Sequence, residues 1–385
     1  MLPADASCRL LEVDFSGIEM ILTGWFIPDP KAIRLGRLGM HAALTALRAH
    51  QPVDLTWPDE QIREYLRPFK KHPLYDSSKR CIHGTDYALT PFGMVEQFPT
   101  EFPTIKAAQE VQEYYFHLVP GLPIWHRTLR EQAKKNGYLG GAPPAHPFGY
   151  RHWFWDVYGY QPTDEVTARR WVRDPARKDR IVMLHGRPFK VVWGNDAKRC
   201  IAFLPQSTAA GVLKRAELRL FLPESPDYIG DAYFGKTPLR APIHDSLLME
   251  VPNRAWDRVL ETVVRVMQDP IPELPLPVEW NMGTHLRIGV AAKGGKNWAP
   301  KTDSNLGGMA DLPTPGLEAG DITPGVESAP GLPWDEQDWE EWRMLERVVL
   351  TDGAAAMAPI VDVQPIPVEG TYGAIVRSVK PMKWR

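Results

Sequence analysis

The sequence predicts a mixed α+β chain, and three observations carry that expectation. The stretch "LLEVDF" alternates apolar and acidic side chains with the period of a strand, and from Ile18 the apolar residues switch to a helical period. A second strand-like run, "APIHDSLLMEVP" (residues 241–252), recurs late in the chain, so strands and helices are interspersed rather than segregated by sequence. Near residue 300 the composition shifts to Pro and Gly, which predicts a partly disordered C-terminal tail after the folded body.

The first strand places Leu11, Val13 and Phe15 on one face and Glu12 and Asp14 on the other. Ile18, Ile21, Leu22 and Trp25 then fall at i, i+3, i+4 and i+7, a buried helical stripe. Asp14 therefore ends a strand, and Glu19 stands in the first turn of the next helix, where a carboxylate also suits the positive helix end. A carboxylate at the end of a buried strand needs a compensating cation. Further along, "YDSSKRCIHGTDYA" sets Lys79, His83 and Tyr87 at i, i+4 and i+8, one helix face offering a cation and two rings. Residues 50–73 and the aromatic, Arg-rich residues 148–180 read as inserted or loop-like. A hairpin turning at Gly186-Arg187 follows in "IVMLHGRPFKVVW". The run at 241–252 is broken by His244-Asp245.

Residues 312–333 read as a flexible linker. Beyond it Trp339, Trp342, Leu345 and Val349 predict a short acidic amphipathic helix, and residues 358–384 one or two edge strands. This tail either packs on its own body or docks a partner. Residues 301–385 hold 7 Lys/Arg and 14 Asp/Glu. The other 300 residues hold 38 and 33, a mildly basic body suited to meeting nucleic acid. No uncharged apolar run is long enough to span a membrane and no signal peptide is visible, so a cytoplasmic location is expected. Cys8, Cys81 and Cys200 form neither a metal motif nor a disulfide framework, which fits a reducing compartment.

If Asp14 and Asp245 end adjacent strands, two like charges meet at a sheet edge, and a bridging metal would relieve their repulsion. Two hard oxygen ligands suit Mg2+, which keeps its remaining sites for water and substrate phosphates. Two such ions suit an in-line phosphoryl transfer.

Four blocks, in order, resemble the DNA polymerase I family (family A). "DFSGIE" is similar to its motif A (DYSQIE), "YDSSKRCIHGTDYA" to motif B (R-x3-K-x7-Y-G), "QSTAAGVLKRA" to its QGTAADLMK helix, and "IHDSLLMEVP" to motif C (VHDE and an apolar strand). Weaker echoes in "GRLGMHAALTA", in residues 114–139 and in "LPLPVEWNMGTHL" keep the same order, and the resemblance covers about residues 5–298. It implies an α+β polymerase palm, an antiparallel sheet with helices, plus helical fingers. The division expected is residues 1–30 palm, 31–147 fingers, 148–300 palm with an inserted hairpin, and 301–385 linker and tail.

The resemblance also implies roles. Asp14 and Asp245 would hold two Mg2+ ions. Lys79 would bind the dNTP triphosphate and help protonate pyrophosphate. His83 would stack beside the nucleotide, Tyr87 would guard the template-base pocket, and His41 would reach the phosphates. Gln206 would read the minor groove near the primer end, with His244 at the primer terminus. Glu19 would crowd the sugar 2′ position and reject ribonucleotides. There are departures: Gly17 replaces Gln, His83 replaces Phe or Tyr, Ala88 replaces Gly, and Ser246 replaces Glu. Tyr75 stands where motif B has Arg, so Arg80 is the expected substitute phosphate contact.

The reading expected is thus a template-directed DNA polymerase acting on primer-template DNA and dNTPs, of phage type and working in the cytoplasm of a bacterial host. The family's 3′–5′ exonuclease and thumb precede motif A, and only thirteen residues precede Asp14 here, so a separate polypeptide is expected to supply them. Two alternatives stand beside it. His-Asp-Ser also occurs in single-subunit RNA polymerases, though Glu19 and the Gln206 helix weigh against them. Tyr75 and Ala88 favour a catalytically silent nucleic-acid-binding subunit.

Overall fold

The computed structural model describes residues 2–3, 6–173, 181–230 and 239–315. The expected helix and strands of residues 339–384 lie outside the described residues, as does most of the expected linker.

The chain opens with β1 (Cys8–Phe15) and passes through Gly17 into α1 (Ile18–Phe26). Gly17 is left-handed, at φ 67°, a conformation glycine adopts without steric cost, and this sharp corner is what turns the strand into the helix. Asp29 caps α2 (Pro30–Leu38) by accepting from the Lys31 and Ala32 amides at 2.9 and 3.1 Å. The two helices approach so closely that a Cβ on Gly36 would come within 2.8 Å of Ile21 Cγ1. Helices α3 (Met40–Arg48), α4 (Asp59–Leu66), α5 (Tyr75–Asp86), α6 (Pro91–Gln97), α7 (Ile105–Leu118) and α8 (Gly121–Asn136) follow. With α2 they enclose a second apolar cluster around Leu44, Ile82, Phe102 and Tyr115.

The stretch at 50–73, expected to be loop-like, instead contains α4 and a 3-10 turn. Ile62, Leu66 and Phe69 are buried there, so a short helix covers one side of α3. Next come β2 (Tyr138–Gly140), β3 (Arg151–Trp153), β4 (Tyr158–Pro162), α9 (Glu165–Val172), β5 (Ile181–Leu184) and β6 (Arg187–Trp193). Residues 148–173 are therefore also structured: they supply β3 to the small β2–β3 sheet, β4 to the β4–β6–β5 sheet, and α9. The hairpin turns at His185-Gly186, one residue earlier than expected. Both residues are left-handed (φ 50° and 73°) and Leu184 pairs with Arg187, because a two-residue turn that matches strand twist needs two positive φ angles.

Helix α10 (Asp196–Phe221) leads to β7 (Leu239–Ile243), β8 (Ser246–Pro252), α11 (Trp256–Gln268), β9 (Val290–Gly295) and β10 (Ala310–Leu312). The main sheet is antiparallel in the order β10-β9-β1-β8-β7. Leu11, Val13 and Phe15 face a core shared with α1, α10 and α11, in which Val259, Val263 and Val264 repeat at helical spacing. Six of the seven β8 residues are buried because β8 lies between two strands and is covered on both faces. On the far side Leu10 and Leu248 meet Met309, carried by the chain between β9 and β10. The folded body thus runs past the expected linker boundary at 301, since β10 pairs with β9 through Leu312. The expected α+β architecture, an antiparallel sheet with helices, is the one observed.

Candidate active site

β1 and β8 run antiparallel in a register that sets Asp14 opposite Ser246, and the Phe15 amide donates to the Asp245 carbonyl at 3.2 Å. Two residues 231 positions apart in the chain are therefore neighbours at one end of adjacent strands. The Asp14 carboxyl is pushed up to about 7, first by burial, then by the charge of Asp245 and a hydrogen bond with it, then by Glu12; Lys293 opposes the rise. Two acids share one partly buried space with too little positive charge. Among the described residues no group of three or more His, Cys, Asp or Glu gathers to enclose a metal. The donor set, two hard oxygen ligands with unbalanced charge, fits Mg2+ completed by water and substrate oxygens and does not fit an all-protein cage.

His244 is half of the two-residue turn joining β7 to β8, and its backbone is left-handed at φ 57°. Its Nδ1 donates to Asp245 Oδ1 at 3.1 Å, and its Nε2 lies 3.6 Å from Glu19 Oε1. Burial works against its charged form, but the hydrogen bond to Asp245 and the charges of Asp245, Glu19 and Asp14 outweigh it, so the imidazole is raised above its ordinary value. This bridge between motif C and the first turn of α1 has no signal in either motif alone.

Helix α5 supplies the opposite side. Lys79 and His83 are exposed on it, and Tyr87 stands at its C-terminal cap, one step beyond the last helical residue. His41, from α3, is half-buried with its ring 5.0 Å from His83 and edge-on to Tyr75 at 6.2 Å. Its Nε2 is buried with no hydrogen-bond partner. Burial, then His83 and Lys79, press its pKa down to about 3, so the ring is neutral. His83 is also lowered, by burial and Lys79, with Glu19 opposing.

The Tyr87 hydroxyl is buried between Glu19 and Gln206 of α10, in a well-formed hydrogen bond with neither, and is pushed up by burial and by Glu19. Glu19 thus touches both halves of the site, His244 on one side and Tyr87 on the other. Arg80 lays its guanidinium over the Phe98 ring at 5.0 Å, beside the Lys79–His83 row.

Two features were not visible in the sequence. Asp86, fully buried behind Tyr87, accepts from Tyr115 Oη at 2.6 Å and is raised to about 7, by burial first and by Glu19, with Tyr115 opposing. His126 Nε2 lies 3.1 Å from the Asp86 carbonyl, so the end of α5 is anchored from α7 and α8. The second feature is Ala88, which is left-handed at φ 55°. The Ala88 amide donates to the Thr85 carbonyl and the Leu89 amide to the Gly84 carbonyl, the double bond of a glycine-type helix stop. The backbone retains the glycine conformation although the residue is alanine.

No family model and no curated protein matches the chain. Among solved structures it is similar to the polymerase domain of Pol1 from M. smegmatis, in complex with DNA primer-template and dNTP. The identity is 19%, the match covers 77% of this chain, and the TM-score is 0.47. The match spans 41% of that chain.

Proposed function

We propose that this protein is a template-directed DNA polymerase that transfers nucleotides from dNTPs onto a primer 3′-OH. The observation that carries the reading is the Asp14–Asp245 pair at adjacent strand ends, linked through His244 and Glu19 to the helix that carries Lys79 and His83. The four ordered blocks that resemble family A support the same reading.

Asp14 and Asp245 are the residues that would hold Mg2+. Bound there, the metal supplies Lewis-acid activation of the attacking hydroxyl and neutralises charge on the phosphate oxygens. Lys79 has no carboxylate partner among the described residues and is suited to grip the triphosphate and give a proton to departing pyrophosphate. His41 stays neutral beside it, so its unpartnered Nε2 can meet a phosphate oxygen or a water without adding charge. His83 offers a ring for stacking, and Tyr87 closes the space behind it.

Glu19 is held from two sides, by His244 and by the neighbourhood of Tyr87, which supports a fixed carboxylate acting as the sugar 2′ filter. Such a filter would favour deoxyribonucleotide over ribonucleotide synthesis. Gln206 and His244 flank the space where a primer end would lie. Primer extension with Mg2+, comparing dNTPs with NTPs and wild type with Asp14→Asn, tests the reading. Extension by the Asp14 variant at the wild-type rate would overturn it, and primer-independent synthesis from NTPs would replace it with RNA polymerisation.

A further inference from the structure

The aromatic, Arg-rich segment takes no part in the site above. Its two-stranded β2–β3 sheet has two unlike faces. Inward, Leu139 and Phe154 are buried, and Phe154 and His152 pack on Phe203 of α10 at 5.9 and 5.7 Å. Outward stands a row of planar groups. The Arg151 guanidinium lies 4.5 Å over Tyr138, Tyr138 meets Trp153 at 5.0 Å, and Trp153 stacks on Trp155 at 5.5 Å with planes 3° apart. Trp153 is 47% and Trp155 79% exposed. A stacked tryptophan pair left in water is unfavourable unless something covers it.

We propose that this row is a stacking platform for single-stranded nucleic acid. Bases stack on exposed rings whatever their sequence, provided cations line the backbone path. Here α8 ends in Lys134 and Lys135, and Gly137, the residue after that helix, lies under the Trp153 ring. The row itself carries Arg151 and no acid. Asp156, which follows it, is turned away to accept from the Asn195 amide and side chain. Among the described residues, 148–173 and 181–193 hold six Lys/Arg against three Asp/Glu, a balance that complements phosphate. The strand is also pinned, because the Trp155 amide donates to Asp196 at the start of α10 at 2.9 Å. Phe203, under the same sheet, is one helical turn from Gln206, which neighbours Tyr87. Naming the bound strand as unpaired template rests on the polymerase reading; the binding itself does not.

The test is fluorescence anisotropy of the full chain with a labelled oligothymidylate of about twelve nucleotides and, separately, with a blunt duplex. Trp155→Ala is expected to weaken oligothymidylate binding by roughly tenfold or more, and Trp155→Phe to restore most of it. Lys135→Gln with Arg151→Gln is expected to lower the salt slope by about 1.4. Trp155 packs on Trp153 and is otherwise exposed, so its variants fold, which an unchanged thermal midpoint confirms. Unchanged oligothymidylate affinity in Trp155→Ala overturns the proposal. So does an equal loss of duplex binding, or a wild-type dimer that Trp155→Ala dissociates, since that makes a second copy the occupant. Asp14→Asn is expected to bind oligothymidylate like wild type, so an inactive polymerase and a failed platform give different results.

Discussion

Two clusters of carboxylates in this molecule are treated in opposite ways. Asp227 and Asp269, beside α10 and α11, are compensated: Arg219 reaches both at 2.6 and 2.7 Å, and Arg265 reaches Asp227 at 2.7 Å. Burial alone would raise Asp227, but its bonds to Arg265 and Arg219 outweigh that and hold it below the usual carboxylate range. Asp14 has Lys293 opposing its rise and Asp245 has the His244 imidazole at 3.1 Å, with no arginine reaching either among the described residues, and Asp14 is pushed up to about 7. The first cluster is a brace between helices, complete as folded. The second is compensated less fully, which makes it a candidate site rather than a brace.

The sharpest way to break the comparison is to neutralise one acid in each cluster. Asp14→Asn is expected to lower primer extension by about a thousandfold or more without loss of thermal stability, because it removes a ligand and a repulsion together. Asp227→Asn is expected to do the reverse, costing about 2 kcal/mol of stability by leaving two arginines short of a partner, with extension per folded molecule unchanged. Thermal melts and single-turnover extension on both variants check the pair. If Asp227→Asn lost activity but not stability, the distinction would collapse.

The pH dependence of the brace has a definite sign. Asp227 is depressed in the folded state, so its contribution is present above the ordinary carboxylate value of 3.8 and is lost as pH falls through its lower folded value. The melting difference between wild type and Asp227→Asn should therefore shrink in acid below about pH 4.

Glu19→Ala sharpens the comparison at the third acid of the site. It should raise ribonucleotide incorporation by roughly tenfold or more, read from the ratio of kcat/KM for NTP and dNTP. Ala88→Gly has the smallest expected effect. Relieving a left-handed alanine should add about 1 kcal/mol of stability, seen as a higher thermal midpoint, since the hydrogen bonds of that helix stop stay intact. An unchanged midpoint would show that the position is not strained.

Much of this architecture is written in local pattern. The alternation in "LLEVDF" and the stripe from Ile18 correspond to β1 and α1, because side-chain period follows directly from backbone geometry. The row of Lys79 and His83 is likewise on one face of α5. Where a pattern depended on tertiary context it misled. Residues 50–73 looked like a loop because α4 buries only Ile62 and Leu66, too narrow a stripe to stand out in sequence. The hairpin at 181–193 was misplaced by one residue, because His185 takes a left-handed conformation that sequence does not advertise for histidine. The strand β10 was hidden in a segment of linker-like composition.

By itself the sequence determined on which element each candidate residue sits: Asp14 at a strand end, Glu19 in a helix's first turn, Lys79 and His83 on one helix face. Only the tertiary structure decided that Asp14 and Asp245 are neighbours, that His244 lies between Asp245 and Glu19, and that the Tyr87 hydroxyl is buried near Glu19 and Gln206. The physical reason is range. Backbone period repeats within a few residues. The charge balance of a site depends on which distant strands become neighbours and how much water their packing removes, and no local window contains either.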